Sequence, residues 1–486
     1  MFTILKRNPA FSPLSYGAVG DGVTNDHTAV NAAMLAARAA GGYVIIPSGY
    51  TFGIGSYLSF LNGDKGIIGK GGTIKTLAAS SGVLLSGKAQ GRAENVDGML
   101  VEGLNIDASG GLLQAIYLSG STNCRIIGNH ITNLDEGTGI LIRCFSVADG
   151  APTDNLVEHN IIEGDTGEDP LHNGINVSGY LDYTPYASAT LMWKGLFSID
   201  TAAGLPALRN TIRYNRITGG YYGISMDFAQ DSEIAYNVIA SNMRNISVQN
   251  RSDNNRVHHN NLSESISSGI HLAFGSSDND IIGNRIVTTR GVGEGLLQAY
   301  VGCNDNEFVG NYTNCPGPST GNKYHAYIAV QSNGNRMDRN VHSGLCLKAY
   351  VAVESAWDGD VTNDAHRNDG LGTTNDGYTG GDITDNVLEC VTISGSSAVP
   401  AIFLSQINQD GTWGQTGTVL NRNRIVGNTY SKQLELYEAT SSELVSLVAT
   451  SNVFDASADS SKFTLPRDRA GHFSTDTGNN WPGGVT

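Results

Sequence analysis

Residues Leu208 to Gly302 read as four successive lines: LRNTIRYNRITGGYYGISMDFAQ (208–230), DSEIAYNVIASNMRNISVQNR (231–251), SDNNRVHHNNLSESISSGIHLAFGS (252–276) and SDNDIIGNRIVTTRGVGEGLLQAYVG (277–302). Each line carries an Asn followed by a short apolar run: Asn215-Arg216-Ile217, Asn237-Val238-Ile239, Asn260-Asn261-Leu262 and Asn284-Arg285-Ile286. A second alternating run follows in Gly223-Ile224-Ser225-Met226, Asn245-Ile246-Ser247-Val248 and Gly269-Ile270-His271-Leu272. The marker Asn residues step by 22, 23 and 24, which is one solenoid coil per repeat. The runs are too short for helices and alternate with period two in Ile and Val, so they are strands.

The repeat extends upstream to Asn129 and Asn160 and downstream to Asn311, Asn340, Asn386 and Asn423. A second Asn stands five residues before many markers, at Asn155, Asn210, Asn255, Asn279, Asn306 and Asn335. Amides stacked coil on coil can hydrogen-bond along the axis, as in cross-β ladders. A left-handed hexapeptide helix needs a six-residue period and a leucine-rich repeat needs Leu-x-x-Leu-x-Leu; neither pattern is present. The expected fold is all-β: a single-stranded, right-handed parallel β-helix.

Composition agrees with this. The chain has 486 residues with 61 Gly, and a solenoid core can absorb that length. Net charge is −16 with no basic patch, which argues against nucleic acid and an anionic membrane surface. An anionic polysaccharide remains compatible if the groove itself carries Arg or Lys. The six Cys are spread out with no metal spacing and read as buried thiols. No run of 18 apolar residues and no signal peptide is visible, and no membrane insertion is expected. Residues 1–49 form an N-terminal segment with a capping helix, N-capped by Asp26 and ended at Gly41-Gly42. The β-helix is expected over 50–455, with loop insertions at 180–206 and 357–380 and a C-terminal cap or arm at 456–486.

The segment YGAVGDGVTNDHTAV…GGYVIIPSG, at residues 16–49, resembles the opening of the pectate-lyase-like superfamily of right-handed β-helices. Phage tailspike depolymerases, polygalacturonase relatives and alginate C5-epimerases share that opening, and the resemblance implies action on a polysaccharide. The polygalacturonase signatures and the Arg-x-Pro-x-x-Arg of pectate lyases are absent. Tyr222-Gly223-Ile224-Ser225-Met226-Asp227 is similar to the Tyr-Gly-Phe-Asp-Pro-His of tyrosine-based epimerases, with Ser225 and Asp227 at the Asp and His positions. Glu168-Asp169-Pro170-Leu171-His172 is similar to its Asp-Pro-His portion, ahead of its strand.

Alternation places Ile and Val inside the coil and the residues between them outside. Aligned coils give one outward column of Arg143, Ser178, Asp227, Gln249, Ala273, Tyr300, Gln331 and Glu354. A neighbouring column reads Leu141, Asn176, Ser225, Ser247, His271, Gln298, Ala329 and Ala352. Glycoside hydrolysis needs two carboxyls roughly 5–9.5 Å apart. Asp227 and Glu354 are five coils apart, roughly 24 Å, so a partner for Asp227 would come from a loop, with Asp169 best placed. β-Elimination needs a base, a carboxylate binder and an acid. Tyr222, Arg244, Gln249 and His271 lie on three consecutive coils, about 10 Å.

The expected function is therefore a depolymerase cleaving an acidic glycan by β-elimination. Alternatives are a tailspike-type hydrolase using Asp227, a non-catalytic carbohydrate-binding β-helix, and a uronate C5-epimerase. Catalytic candidates are Tyr222, Asp227, Arg244, His271 and Asp169. Substrate-binding candidates are Gln249, Asn176, Arg143 and Tyr300, with Tyr183 and Trp193 on a loop that walls the groove. No cofactor is implied; the Asp-rich turns at Asp278-Asn279-Asp280 and Asn304-Asp305-Asn306 are corner turns or Ca²⁺ sites. His258-His259 is not a metal pair, since neighbours on a strand face opposite ways. The tailspike setting implies a homotrimer and an extracellular or virion-associated location.

Overall fold

The computed structural model describes residues 8–77, 84–86, 95–109, 111, 114–134, 136–164, 171–181, 204–240, 243–265, 267–290, 295–300, 302–316, 324–329, 332–354, 383–395, 397–406, 415–416, 418–426, 430, 433–438, 444–445, 447–454, 463–464 and 473–481. Each coil is three short strands, and every strand pairs in parallel with its counterpart one coil on. Asp280–Ile282, Arg285–Val287 and Gly295–Tyr300 make one such coil. They pair in turn with Glu307–Val309, Tyr312–Cys315 and Tyr324–Ala329. The three positions define a first, second and third sheet. This is the right-handed parallel β-helix expected from the repeat.

Contacts divide the chain into two units, residues 1–181 with 201–243, and residues 182–200 with 244–486. In the first unit the helix His27–Ala40 buries Ala29, Val30, Ala33, Met34 and Ala37 and packs on Ala10–Phe11 and Tyr43–Pro47. Those spacings put one apolar stripe on one helix face, which covers the open end of the solenoid. Gly41 ends the helix in the left-handed conformation, at φ 63°. Asp26 stands at the N-cap position but its carboxylate does not cap. It accepts instead from the backbone N–H of Val19 at 2.7 Å and Gly20 at 3.0 Å, because that loop also has donors to satisfy.

The asparagines do what the repeat implies. In the second unit Asn284 Nδ2 donates to Asn311 Oδ1 at 3.0 Å and to the Val257 carbonyl at 2.9 Å. Asn284 Oδ1 accepts from the Asn260 backbone N–H at 3.0 Å. Each ladder Asn follows a residue in the left-handed region, such as His159, Tyr214 and Tyr236 at φ 56–58° in the first unit. Asn386 is a correction: it accepts from Asn335, in the earlier ladder, because Val391 fills the marker position on its coil. The Val391 N–H then donates to Asn423 Oδ1. Beyond 455, where no repeat was expected, Phe473–Thr477 pairs with Leu447–Thr450 and Asn479 continues the marker ladder from Asn452.

All six cysteines are free thiols, and all but Cys390 are buried. His258 and His259 correct the expectation that they face apart: their Nδ1 atoms lie 2.9 Å from each other. His259 stands just past the strand at φ 54°, so its ring swings back. The turns at Asp278 and Asp305 are left-handed corners that seat Asn279 and Asn306 in a ladder.

Candidate functional site

On the third sheet the pattern of facing is set by paired inward residues. A Cβ on Gly174 would meet the Gly223 carbonyl at 2.4 Å and Ile217 at 2.6 Å, so Gly174 points into the coil beside Ile175. Two inward neighbours in a row mean that the residue before the glycine faces out. The outward grid of the first unit is thus Thr138, Asn173 and Tyr222 in one column, Leu141, Asn176 and Ser225 in the next, and Arg143, Ser178 and Asp227 in the third. Tyr222 and Asp227 are half-buried and Arg143 is exposed. The Arg143 guanidinium lies 5.2 Å from the Phe145 ring centroid. Asn176 Oδ1 and Ser225 Oγ, register partners on adjacent coils, are buried with no hydrogen-bond partner.

The second unit holds Arg244, Gln249, His271 and Tyr300. Its grid runs Ser247, His271, Gln298, Tyr327 and Ala352 in one column. Alongside run Gln249, Ala273, Tyr300, Ala329 and Glu354. Two positions correct the expected columns: Ala329 stands where Gln331 was placed, and Tyr327 where Ala329 was. A slip of two residues preserves the in–out alternation, so periodicity cannot detect it.

In this register Tyr324 and Tyr327 lie on the face, and their rings stack at 4.5 Å and 7°. The Tyr324 hydroxyl lies 3.4 Å from both carboxylate oxygens of Glu354. Ser268 Oγ donates to Gln298 Oε1 at 3.2 Å, which orients that amide. The His271 and Tyr300 ring centroids are 6.1 Å apart. Lys348 Nζ is 6.0 Å from the Tyr324 ring centroid.

These side chains are not solvated as outward residues ordinarily are. His271 and Gln298 are each 2% exposed, Tyr300 5% and Glu354 1%. His271 and Tyr300 were expected at an open surface; they face outward but are buried among one another. The expected set of Tyr222, Arg244, Gln249 and His271 divides, with Tyr222 in the first unit and the other three in the second. Asp169, Tyr183 and Trp193 lie outside the described residues, as does the 357–380 insertion. At the base of the other loop, the Tyr180 and Leu205 backbones exchange hydrogen bonds of 2.7 and 2.9 Å. Among the described residues no three His, Cys, Asp or Glu side chains converge to hold a metal ion, and no helix is long and apolar enough to cross a membrane.

The family model for the periplasmic copper-binding protein (NosD) matches residues 114–294 and 204–347. No curated protein matches the chain. Among solved structures it is similar to the mannuronan C-5 epimerase AlgE4 A-module of Azotobacter vinelandii, with 17% identity over 89% of this chain and 98% of that one, TM-score 0.56. It is also similar to the tailspike protein of E. coli bacteriophage HK620 in complex with hexasaccharide, with 12% identity over 88% and 77%, TM-score 0.60. A third is PfbA, a surface adhesin of Streptococcus pneumoniae, with 15% identity over 88% and 93%, TM-score 0.55. At these identities the likeness is one of fold, and the fold is the one that the opening segment implied.

Proposed function

We propose that the chain acts on a polysaccharide at the outward face of the third sheet, and that in the second unit the reaction is β-elimination at a uronate. One observation carries this reading: His271, Gln298, Tyr300, Tyr324, Tyr327 and Glu354 all face away from the coil core yet are buried. Burying so many polar and ionisable groups costs stability, and such clusters concentrate at functional sites. They span four strands, about 14 Å. The similar structures, an epimerase and a tailspike holding a hexasaccharide, support a carbohydrate ligand. The tailspike and adhesin also support an extracellular or virion-associated setting, where a homotrimer is the expected assembly.

The chemistry assigns itself by donor type. The Gln298 amide nitrogen, whose oxygen is held by Ser268, and the Arg244 guanidinium bind the uronate carboxylate. The unprotonated His271 ring or the Tyr300 phenolate takes the C5 proton, the C5–H electron pair becomes the C4–C5 double bond, and the C4–O bond breaks. Tyr324, hydrogen-bonded to Glu354, returns a proton to the leaving oxygen. On the first unit Arg143, Asn176, Tyr222 and Asp227 offer sugar contacts of the same kind.

A second reading has one observation in its favour. Glu354 pairs with Ser405, and Glu435 pairs with Phe403 in the neighbouring column, so the two acidic positions stand two coils and one column apart, about 12 Å between backbones. Inverting hydrolysis, with its carboxyls roughly 6.5–9.5 Å apart, needs the two side chains to lean toward each other. Incubation with acidic polysaccharides separates the readings. Ultraviolet absorbance from an unsaturated uronate together with new reducing ends establishes elimination. New ends alone establish hydrolysis, and retention without either leaves a binding protein.

A further inference from the structure

A second surface, on the second sheet of the first unit, is not used by the proposed reaction. Its strands Asp21–Asn25, Thr51–Ile54, Thr73–Thr76, Asn105–Asp107 and His130–Leu134 floor a cavity of about 470 Å³. Thr51, Thr73, Asn105 and His130 are register partners on successive coils and form one column. Lys75, Asp107 and Thr132 form the column beside it. Two features raise the walls. The strand Asp21–Asn25 is irregular in its pairing with Thr51–Ile54, and Gly22 at φ 75° turns Asp21 and Val23 to the rim. Opposite, Asn133 at φ 57° leans back to donate to Asp107 Oδ1 at 2.8 Å.

The lining separates into groups already engaged and groups that are not. Hydrogen bonds from Thr24 and Val23 hold the Asp21 carboxyl below its usual range. For Asp107 burial pushes upward, but donors on Asn133 and Ser109 outweigh it and hold the group low. Lys75 lies 3.9 Å from Asp107, and His130 Nε2 lies 3.0 Å from Glu163. Lys75 thus faces Asp107 and the His130 ring faces Glu163, while Asp21 is held by hydrogen bonds alone, so the local surplus is negative. Thr51, Thr73 and Asn105 make no side-chain hydrogen bond among the described residues. Hydroxyls and an amide, each both donor and acceptor, thus repeat along the floor at the coil rise of about 4.8 Å. The exposed Val23 side chain and the His130 ring supply apolar surface at the edges.

We propose that this cavity binds a neutral, hydroxyl-rich oligosaccharide laid across Thr51, Thr73 and Asn105, parallel to the stacking direction of the coils. Hydroxyl groups satisfy such a column without a counter-charge, whereas the Asp21 and Asp107 carboxylates repel an anionic glycan. The site is separate from the third-sheet chemistry and takes a different class of sugar, so it tethers the protein to a neutral glycan.

Direct binding tests it. The full chain is presented to an array of neutral hexasaccharides (cellohexaose, maltohexaose, laminarihexaose, chitohexaose) and to polygalacturonate, and the best ligand is titrated by calorimetry. Saturable binding of a neutral hexasaccharide is expected, weakened about tenfold or more in Thr73→Val/Asn105→Ala and unchanged in Tyr300→Phe. If the double variant unfolds more easily, the isosteric Asn105→Asp gives the same reading. Failure of every neutral hexasaccharide to bind overturns the proposal, as does equal affinity in the variants or loss of binding in Tyr300→Phe. An active third-sheet enzyme without neutral-sugar binding overturns this site alone, and neutral-sugar binding without glycan cleavage overturns only the reaction.

Discussion

Asn284 shows how much one side chain does in a stacked coil. It is 1% exposed and connects three coils through its amide and backbone. Asn284→Ala strands donors and acceptors that cannot reach water, at a cost on the order of 2–4 kcal/mol. Urea unfolding midpoints measure it, and an exposed control such as Asn261→Ala should move little. The catalytic proposal also lives at this scale. Glu354→Gln and Tyr324→Phe should each lower kcat by roughly 10²-fold or more if that pair delivers the proton, with KM changed far less. The cysteines make a third residue-level prediction. Burial pushes Cys124, Cys303 and Cys346 up to about 12 and Cys144 up to about 11. In the native protein a thiolate-directed reagent such as Ellman's should find at most one fast thiol, Cys390, and all six after denaturation.

Elements of the second unit pack a polar cluster inside the coil. In Tyr324–Ala329 and Ala349–Glu354 the inward position filled by Gly269 in an earlier coil is His325 and Tyr350, whose rings stack at 5.0 Å. His325 Nε2 donates to the Leu345 carbonyl at 2.9 Å, so its Nδ1 accepts from the Thr313 hydroxyl at 2.8 Å. The Thr313 oxygen in turn accepts from His342 Nδ1 at 2.8 Å. Burial, opposed only by the Leu345 hydrogen bond, pushes His325 down to about 4. Burial and the neighbouring His325 push His342 down to about 3. Both rings are neutral when folded and titrate near 6.5 when unfolded. The unfolded chain therefore binds more protons below about pH 6.5, and stability is lost as pH falls from there toward 4. Chemical denaturation at pH 7, 6 and 5 should show that loss, with a shallower slope in His342→Leu. An unchanged slope would remove this cluster as its cause.

For the whole molecule the relevant quantity is a net charge of −16, which would face the polyanionic substrate proposed above. Long-range repulsion slows encounter, and salt screens it over a Debye length of about 10 Å at 0.1 M. The kcat/KM on an acidic polysaccharide should therefore rise with added salt up to moderate ionic strength, the reverse of a basic-groove enzyme. Binding of a neutral hexasaccharide should be nearly indifferent to salt.

Sequence alone determined the coil. The Asn markers, the period-two Ile and Val runs and the capping helix are local signals, and the energetics behind them, backbone satisfaction and apolar burial, repeat at every turn. His271, Tyr300 and Glu354 could be placed on an outward face for the same reason, whereas Tyr222 faces out only because the glycine position and the Ile after it both point inward, which alternation does not show. Only the tertiary structure decided which outward residues meet. Insertions of different length between strands shift the register by whole pairs of residues, which is how Tyr327 replaced Ala329 beside Gln298; Asn386 belongs to the earlier ladder because Val391, five residues on, takes the marker position. Burial of the His271–Glu354 cluster and the walls of the second-sheet cavity likewise arise from stacking, because they depend on what the neighbouring coils carry and on no residue's own pattern.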